Sequence, residues 1–368
     1  MILSSKDMNA HAYEIQLNEK QLRIQQQFAD LYDGEIDIFR SELQHYRMRA
    51  EFRVWHEGDD LYHIMFDPKS KERIRIDEFP VASKTINLAM QTLLSAIKDW
   101  PILRHKLFQV DYLSGLSDEL VISMLYHKPL DDTWLEAAQQ LKEQLSQFLT
   151  VDIVGRARKQ KQQIDRNYIF ESLPINGKHY RFKHVENSFT QPNAKVNCQM
   201  IEWALAATES LDGDLLELYC GAGNFSLPLA QNFRRVVGTE ISRTSVEAAQ
   251  VSLIENKIDN VSIVRMSSEE FTDAYQNKKP SQRLHTAGLD DLEIATVLVD
   301  PPRAGVDADT IAMMQHYQNI IYISCNPDTL HRDIKMLRDS HELCSLALFD
   351  QFPYTHHIEC GAVLRKFS

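Results

Sequence analysis

Two side chains near the carboxyl end of the chain are of the types needed for covalent group transfer to an unreactive carbon. The apolar run Ile320–Cys325 predicts a strand that ends at a cysteine, and Asn326-Pro327 directly after it exposes that cysteine at the mouth of a site. Glu359 lies at the edge of a second predicted strand. A thiolate can add to a ring carbon, and a carboxylate can then remove a proton from the neighbouring carbon. The sequence therefore predicts Cys325 as the nucleophile and Glu359 as the base.

The segment Asp300–Arg303 is the second chemical element, at the end of the predicted strand Ile294–Asp300. Its two prolines restrict the residue before them to extended conformations and stiffen the loop. Arg303 is expected near the thiol, where its charge would lower the thiol pKa. It could also stabilise the negatively charged enolate oxygen that develops on the ring when the thiolate adds to it. Enzymes that methylate amino groups place an aromatic residue after this pair of prolines, so the arginine argues against that chemistry. The alternative interpretation is a rigid connection between a strand and a helix.

A glycine turn after the predicted strand 214–219 is the candidate cofactor loop. Gly221 and Gly223 permit close approach between backbone and ligand, and Asn224 begins the next helix. Glu240 ends the following strand, where an acid can accept two hydrogen bonds from a ribose. The dinucleotide fingerprint is incomplete because position 226 is serine, and the loop has no lysine for phosphates. S-adenosylmethionine, a cation without phosphate, is the predicted cofactor, although a lone GxG is equally typical of a plain tight turn.

The remaining cysteines and histidines do not predict a second reactive centre. Cys360 follows Glu359 in a strand and is expected to face the opposite side of the sheet. His356 and His357 lack a convincing third ligand beside Glu359, so no metal is predicted. Three further cysteines are interpreted as buried structural residues: Cys198, Cys220 and Cys344.

The bulk composition indicates a cytoplasmic enzyme of two domains. The chain has 368 residues, of which 43% are apolar and 25% charged, and its net charge is −12. Five cysteines without a CxxC pair fit a reducing compartment. No apolar run approaches the roughly 18 residues that span a bilayer, and residues 1–20 lack the apolar core of a secretory signal. The negative net charge argues against nonspecific binding of nucleic acid, so any RNA surface must be local.

Basic residues are concentrated in three groups in the first half of the chain. The groups are Arg47, Arg49 and Arg53; Lys69, Lys71, Arg73 and Arg75; and the basic residues of the stretch 156–183. Aromatic residues near these groups are candidates to stack displaced bases: Tyr46, Phe52, Trp55 and Phe108. The alternatives are a solvated face for each basic group and the core of a sheet for Phe52 and Trp55.

The pattern of predicted elements changes near residues 185–190. Before that point the sequence predicts an amphipathic helix, Tyr13–Leu31, then a hairpin over Arg49–Phe66 and further strands and helices without strict alternation. The apolar face assigned to the first helix is Leu17, Leu22, Ile24 and Phe28. After that point helices and strands alternate, which calls for a mostly parallel sheet covered on both faces. The predicted domains are therefore 1–186, an α+β domain with an antiparallel sheet, and 187–368, an α/β Rossmann-like domain.

Five ordered segments resemble the RNA uracil-C5 methyltransferases, and the resemblance covers nearly the whole chain. The segments are Phe189–Asn193, Glu217–Ser226, Asp300–Arg303, Ser324–Pro327 and His357–Gly361. His45–Arg49 and Phe349–Thr355 are similar to the tRNA-modifying branch of the family. The ribosomal-RNA relatives often carry an iron–sulfur cysteine cluster and an added amino-terminal barrel, and this chain lacks those cysteines and that leading length.

The resemblance implies methyl transfer from S-adenosylmethionine to the uridine at position 54 of the tRNA T-loop, and to the equivalent uridine of transfer-messenger RNA. It implies that the first domain recognises the T-arm and that the second performs catalysis. Cys325 then matches the family's nucleophile and Glu359 its base. The positions that match the family's cofactor-binding residues are Gln191, Tyr219, Asn224, Glu240 and Asp300. A uridine inside a folded loop must be flipped out, at an energy of a few kcal/mol.

Other functions remain open at this point. A ribosomal-RNA uracil-C5 methyltransferase, or an RNA-folding chaperone with the same fold, would share most of these features. A cytosine-C5 methyltransferase commonly uses two cysteines and an acid near the ring, which Glu359 fits poorly. The expected state is a monomer without metal or membrane association.

Overall fold

The computed structural model describes residues 8–67, 69–276, 284–285 and 291–367. Part of the polar stretch 273–291 lies outside the described residues. Within the described part of the chain, no helix is long and apolar enough to cross a membrane.

The chain folds into two compact units, each built from several stretches of sequence. The first unit contains residues 1–12, 42–172 and 184–194, and the second contains residues 13–41, 173–183 and 195–368. The sequence predicted one domain boundary, between residues 186 and 187. The assignment of RNA recognition to the part before it and of catalysis to the part after it stays a prediction. The compact units themselves are discontinuous, because residues 13–41 pack with the carboxyl-terminal part of the chain.

The described elements have the following bounds. The strands are β1 (Asp37–Phe39), β2 (Arg49–Glu57), β3 (Asp60–Phe66), β4 (Arg73–Ile76), β5 (Leu107–Ser114), β6 (Glu119–Tyr126), β7 (Thr150–Ala157), β8 (Gln160–Gln163), β9 (Tyr168–Ile175), β10 (Lys178–Val185), β11 (Asp214–Leu218), β12 (Val236–Glu240), β13 (Val261–Arg265), β14 (Ile294–Val299), β15 (Asn319–Ser324), β16 (His341–Phe349) and β17 (Glu359–Lys366). The helices are α1 (Ala10–Phe28), α2 (Lys84–Ile97), α3 (Pro101–Arg104), α4 (Asp132–Leu145), α5 (Ala194–Thr208), α6 (Ser226–Leu229), α7 (Arg243–Asn256), α8 (Ser268–Gln276), α9 (Ala308–Met314) and α10 (Pro327–Leu337), with a 3₁₀ turn at Ala230–Asn232.

The second unit is organised around an eight-stranded sheet in the order β1-β16-β17-β15-β14-β11-β12-β13. Strands β11 to β15 are parallel to one another, as strands joined by crossover helices must be. Their runs of apolar residues are buried on both faces, which is typical of a parallel sheet. The strand β17 pairs antiparallel with both β15 and β16, and β1 pairs parallel with β16. The Rossmann-like fold predicted from the alternation of elements is confirmed.

The first unit contains a seven-stranded sheet in the order β4-β3-β2-β5-β6-β7-β8. Its pairings are antiparallel except between β6 and β7, which are joined through α4. Helices α2, α3 and α4 cover one face, where they form a single apolar core with alternate residues of the strands. The predicted hairpin at 49–66 is confirmed as β2 and β3.

Candidate active site

The nucleophile and base predicted from the sequence are neighbours across one strand pair. In the antiparallel pair of β15 and β17, Ile323 faces Gly361 and Ser324 faces Cys360. Cys325 is the first residue after β15 and Glu359 is the first residue of β17, so both lie at the same end of this strand pair. The charge of Glu359 acts on the Cys325 thiol. The sheet therefore brings together two residues that lie far apart in the chain.

The electrostatic environment of this pair is acidic. Glu359 is 3% exposed, and burial first, then the nearby Asp300, raises its pKa well above the usual range. Burial, followed by the charges of Glu359 and Asp300, raises the pKa of the Cys325 thiol to about 11. Arg303 acts in the opposite direction and lowers the pKa of Cys325. Arg303 is thus placed near the thiol, as predicted, and favours its reactive thiolate form.

A tight turn after β15 leaves Cys325 half-buried. The Ser324 Oγ accepts a hydrogen bond from the Asn326 N–H at 3.2 Å, and the Asn326 Oδ1 caps α10 by accepting from the Asp328 N–H at 3.2 Å. The Asn326 Nδ2 donates to the Arg303 carbonyl at 3.0 Å. The backbone of Arg303 is therefore fixed to the nucleophile turn, while its side chain remains exposed.

Asp333, which the sequence analysis did not single out, holds the loop that contains Arg303. It is fully buried and accepts hydrogen bonds from the Val306 N–H at 3.1 Å and from the Tyr322 hydroxyl at 2.6 Å. Gly305 has φ +79°, and a Cβ there would lie 2.6 Å from Asp333 Oδ2, so only glycine permits this approach. The loop after Asp300 is rigid because of this carboxylate as well as because of its prolines.

The predicted cofactor loop has the backbone conformation of a ligand-binding turn. Three of its residues have positive φ: Tyr219 at 61°, Gly221 at 55° and Gly223 at 83°. A positive φ at a tyrosine is rare and strained, and such strain is typical of functional sites. A Cβ at Gly221 would meet no atom within 4 Å, so the space above this residue is open to a ligand. A Cβ at Gly223 would lie 2.3 Å from Leu227 Cδ1, so this glycine serves the packing of α6.

Glu240 connects the glycine loop to the next strand. Its carboxylate accepts hydrogen bonds from the Gly221 N–H at 3.0 Å and from the Ser242 N–H at 2.7 Å. Each carboxylate oxygen has a second lone pair, so Glu240 can still accept from two ribose hydroxyls. The next residue, Ile241, is 67% exposed and offers an apolar surface to a purine ring. The sequence analysis did not single out Ile241, although its position after the acid was a usable signal.

Two polar partners orient other predicted cofactor residues. Asn224 and Asn197 exchange two amide hydrogen bonds, at 2.8 and 2.9 Å, and the Ser268 hydroxyl donates to the Tyr219 hydroxyl at 2.8 Å. Both partners lie on other elements, so sequence spacing gave no signal for them. Gln191 belongs to the first unit, where it is half-buried, and its predicted role at the cofactor stays a prediction.

The site has an excess of acids that suits a cationic ligand. Burial raises the pKa of Asp300 to about 7, and burial raises the pKa of Glu217 to about 8, to which Asp300 and Glu240 contribute. The Ser226 hydroxyl donates to Glu217 and limits this rise. A sulfonium ion would offset the repulsion among these carboxylates, so the residues present fit S-adenosylmethionine. Among the described residues, no group of three potential ligands could hold a metal ion.

The other cysteines follow the predictions with one exception. Cys198, Cys220 and Cys360 are buried, and burial raises the pKa of Cys360, which makes it a poor nucleophile. Cys344 is exposed, so its assignment as a buried residue was wrong. The reason is an irregularity in β16, where the register shifts between Leu343 and Ser345 and leaves the residue between them outside the pairing.

The candidate RNA surface lies on the face of the seven-stranded sheet opposite the helices. Arg53 alternates with core residues of β2 and points to this face, where its guanidinium lies 5.3 Å from the Phe108 ring centre. The ring of Phe108 stacks on that of His127, with ring centres 3.8 Å apart and planes inclined by 8°. Trp55 is partly exposed on the same face, with Arg73 stacked over it at 4.0 Å.

Two of the four aromatic residues expected to stack bases are instead buried. Phe52 belongs to the core beneath the helices, and Tyr46 is also inaccessible. Strand alternation explains Phe52, because its neighbours Arg53 and Glu51 take the outer positions. Phe108 and Trp55 remain candidates.

Comparisons with known proteins give matches over nearly the whole chain. The family described as tRNA (Uracil-5-)-methyltransferase matches residues 12–367. A tRNA/tmRNA (uracil-C(5))-methyltransferase of Colwellia psychrerythraea is 56% identical over 96% of this chain and 97% of its own length. An enzyme of the same description from Vibrio cholerae is 52% identical over 99% of this chain and all of its own length.

A solved structure supports the fold. The tRNA (uracil-54, C5)-methyltransferase of Pyrococcus abyssi, determined with S-adenosyl-L-homocysteine, has a TM-score of 0.71 and 22% identity. The match covers 96% of this chain and 83% of that one.

Proposed function

The chain belongs to the tRNA (uracil-5-)-methyltransferase family, and we propose that it methylates C5 of uridine 54 in the tRNA T-loop and the equivalent uridine of transfer-messenger RNA. The observation that supports the chemistry is that Cys325 follows β15 and Glu359 begins β17 at the same end of this strand pair, where the charge of Glu359 acts on the thiol. The relatives that match over their full length are named for tRNA and tmRNA, which favours these substrates over ribosomal RNA. The proposal includes action as a monomer in the cytoplasm.

The methyl donor is S-adenosylmethionine, which supplies an electrophilic methyl group at the site. Glu240 would accept the ribose hydroxyls, and Ile241 would pack against the purine. The glycines of the loop leave its backbone accessible, and Tyr219 and Asn224 are oriented by Ser268 and Asn197. Asp300 and Gln191 complete the predicted set.

Cys325 reacts through its thiolate form, which is a minor fraction at neutral pH because the pKa of the thiol is raised to about 11. Its sulfur forms a bond to C6 of the uracil, and the electrons of the C5–C6 double bond move toward O4, which makes C5 nucleophilic. Arg303 favours the thiolate and can stabilise the negative charge that develops on the ring.

Glu359 completes the reaction after C5 has received the methyl group. Its carboxylate takes the proton from C5, the electrons of that C–H bond restore the C5–C6 double bond, and the sulfur leaves as a thiolate. A buried carboxylate with a raised pKa is a stronger base than a solvated one, which suits the removal of a weakly acidic proton.

The first unit would recognise the T-arm through the stack of Arg53, Phe108 and His127. A stacked base–aromatic contact contributes about 1–3 kcal/mol, which can offset the few kcal/mol needed to extrude the target uridine. The arginine adds an attraction for the phosphate backbone.

The test uses tRNA from cells that lack 5-methyluridine. We expect incubation with this protein and S-adenosylmethionine to yield one 5-methyluridine per tRNA, measured by mass spectrometry of nucleosides, and none in tRNA with cytidine at position 54. RNA containing 5-fluorouracil should form a stable adduct that maps to Cys325. Methylation of the cytidine variant, or an adduct on another residue, would contradict the proposal.

A further inference from the structure

The loop 350–358, which joins β16 to β17, ends directly before the proposed base. The strands on either side pair in register, with Phe349 opposite Glu359, so the backbone of Glu359 is held by the sheet. The course of the preceding residues is not set by strand pairing. Bonds to Phe39 and Met200 hold its first two residues, and α1, a helix that plays no part in the chemistry described above, supplies further contacts.

Three residues on one face of α1 point toward this loop: Tyr13, Gln16 and Lys20. Their spacing of three and four residues aligns them along the helix. The Lys20 Nζ lies 2.6 Å from Asp350 Oδ1 and 2.9 Å from the Phe352 carbonyl, and the Gln16 Nε2 donates to Asp350 Oδ2 at 2.9 Å. We call this set of contacts the α1 clamp.

The central ion pair of the α1 clamp is withdrawn from solvent. Lys20 is 5% exposed and Asp350 is fully buried. Such a pair is weak evidence for stability, because both charges lose their hydration, but removal of one partner leaves an unpaired buried charge. The bonds of Lys20 to Asp350 and to the Phe352 carbonyl restrict the position of the loop.

The loop also contains backbone strain that the clamp helps to hold. Tyr354 has φ 60°, which is uncommon for a tyrosine and persists only where surrounding contacts impose it. Its ring meets the edge of the Tyr13 ring, with centres 6.0 Å apart.

A chain of contacts connects the clamp to the base. Lys20 holds the carbonyl of Phe352, whose ring lies 5.7 Å from that of His357. His357 is two residues before Glu359, and the intervening Ile358 is buried. A shift at Phe352 would therefore be transmitted to the residues that precede Glu359.

We propose that Lys20 and Asp350 are positioning residues that hold the loop 350–358 so that Glu359 is aligned with the C5 proton and shielded from water. This inference rests on the proposed function and extends it to a specific step, the removal of that proton. Cys325 follows β15 and is fixed by its own turn, so attack on C6 does not depend on the clamp.

The experiment separates these two steps in Lys20→Met and in the double variant Lys20→Met/Asp350→Asn, which leaves no unpaired buried charge. Attack by Cys325 is measured as the rate of adduct formation with 5-fluorouracil RNA, in which C5 carries no removable proton. Proton removal is measured as release of tritium from RNA with uridine labelled at C5. We expect the clamp variants to lower tritium release about tenfold more than adduct formation, and to accumulate enzyme–RNA adduct on ordinary RNA.

Lys20→Arg, which keeps the charge, should recover part of the lost proton removal. The matched control is Asp214→Asn, which breaks another ion pair with a fully buried aspartate in the same sheet, between Asp214 and Arg234 at 2.7 Å. Asp214 lies at the amino-terminal end of β11, whereas the glycine loop follows its carboxyl end. This control should reduce thermal stability without changing the ratio of the two rates.

Equal reductions of both rates in the clamp variants would overturn the inference and leave Lys20 with a purely structural role. If the wild-type protein formed no adduct with 5-fluorouracil RNA, the proposed function itself would be wrong, and the two failures are thereby distinguished. A double variant too unstable to assay is replaced by Gln16→Leu, which removes an uncharged contact to Asp350. If the ratio of tritium release to adduct formation is unchanged both in that variant and in Lys20→Met, the inference is also contradicted.

Discussion

Two buried acids, Glu186 in the first unit and Glu359 in the second, have opposite surroundings. In the first unit, burial would raise the pKa of Glu186, but Arg156 and Lys161 outweigh it, and its pKa is lowered. In the second unit, burial raises the pKa of Glu359, and its acidic neighbour Asp300 raises it further. An acid that is neutralised by the protein's own cations is part of the framework. An acid placed among other acids is prepared for a proton or for a cationic ligand.

The largest expected effect is the loss of the covalent route in Cys325→Ala. Without the sulfur, C5 of the uracil never becomes nucleophilic, so methyl transfer to tRNA should fall below detection. The check is the yield of 5-methyluridine by mass spectrometry, with Cys344→Ala as the matched control because that cysteine is exposed and away from the pairing of β15 with β17. Residual turnover in Cys325→Ala would show that the acidic site works without this nucleophile.

Replacement of the two contrasted acids tests the comparison directly. Glu359→Gln should lower tritium release from C5 by about 10²–10⁴-fold, because the amide cannot take the proton. Glu186→Gln should leave that rate within a few-fold and lower the free energy of unfolding by about 1–3 kcal/mol, because it weakens bonds to Arg156 and Lys161. Thermal unfolding and tritium release in both variants provide the measurement, and similar profiles for the two variants would remove the distinction.

The pH dependence of the reactivity of Cys325 tests whether the pKa of its thiol is raised in this acidic site. Below its raised pKa of about 11, the thiolate fraction of Cys325 grows tenfold for each pH unit. In the free enzyme, alkylation of Cys325 by iodoacetamide should therefore rise about 100-fold from pH 7 to pH 9. Arg303 lowers this pKa, so Arg303→Ala should slow alkylation at each pH. Peptide-resolved mass spectrometry measures the rates, and a plateau below pH 8 would show that burial and the neighbouring acids do not raise the pKa of this thiol.

The smallest expected effect on binding concerns the RNA face of the first unit. Phe108→Ala should weaken binding of a T-arm stem–loop by about 1–3 kcal/mol, roughly 5- to 150-fold, because a stacking surface is lost. Phe148→Ala is the control, since that phenylalanine is exposed but follows α4 on the helical side. Unchanged affinity in Phe108→Ala would exclude the stack from RNA binding.

Replacement of the core residue Phe52 should change the stability of the fold and not the affinity for RNA. Phe52→Ala should lower the free energy of unfolding by about 3–5 kcal/mol, because a ring in the core beneath the helices is removed. A filter-binding assay and a denaturant titration on both variants separate a surface role from a core role.

Much of the second unit could be predicted from the sequence because its information is local. Strands buried on both faces have continuous apolar runs in the sequence, and the residues proposed for chemical roles directly follow strand ends, as do Tyr219, Asp300 and Cys325. Asp333 and Asn197 could not be found in this way, since their roles depend on partners in other elements. Cys344 was misassigned because a register shift in β16 has no signature in composition.

The amphipathic pattern of the sequence predicted only part of the buried face of the first helix correctly. Leu22, assigned to its apolar face, is 54% exposed, whereas Lys20 is buried. The reason is that Asp350 compensates a charge that the hydrophobic pattern alone places in solvent. The accessible aromatic residues of the seven-stranded sheet could not be predicted either, because their accessibility depends on which face of the strand each residue occupies.

The division of the chain has a consequence for its biosynthesis. The strand β1 pairs with β16, where Asp37 lies opposite Ala347. A strand that is synthesised early can therefore pair only after a strand near the carboxyl end of the chain has been synthesised. Translation is slow relative to local folding, and the edge of β16 is covered only by that early segment. The second unit therefore completes its sheet only after almost the whole polypeptide has left the ribosome, and a truncated transcript would yield no working methyltransferase.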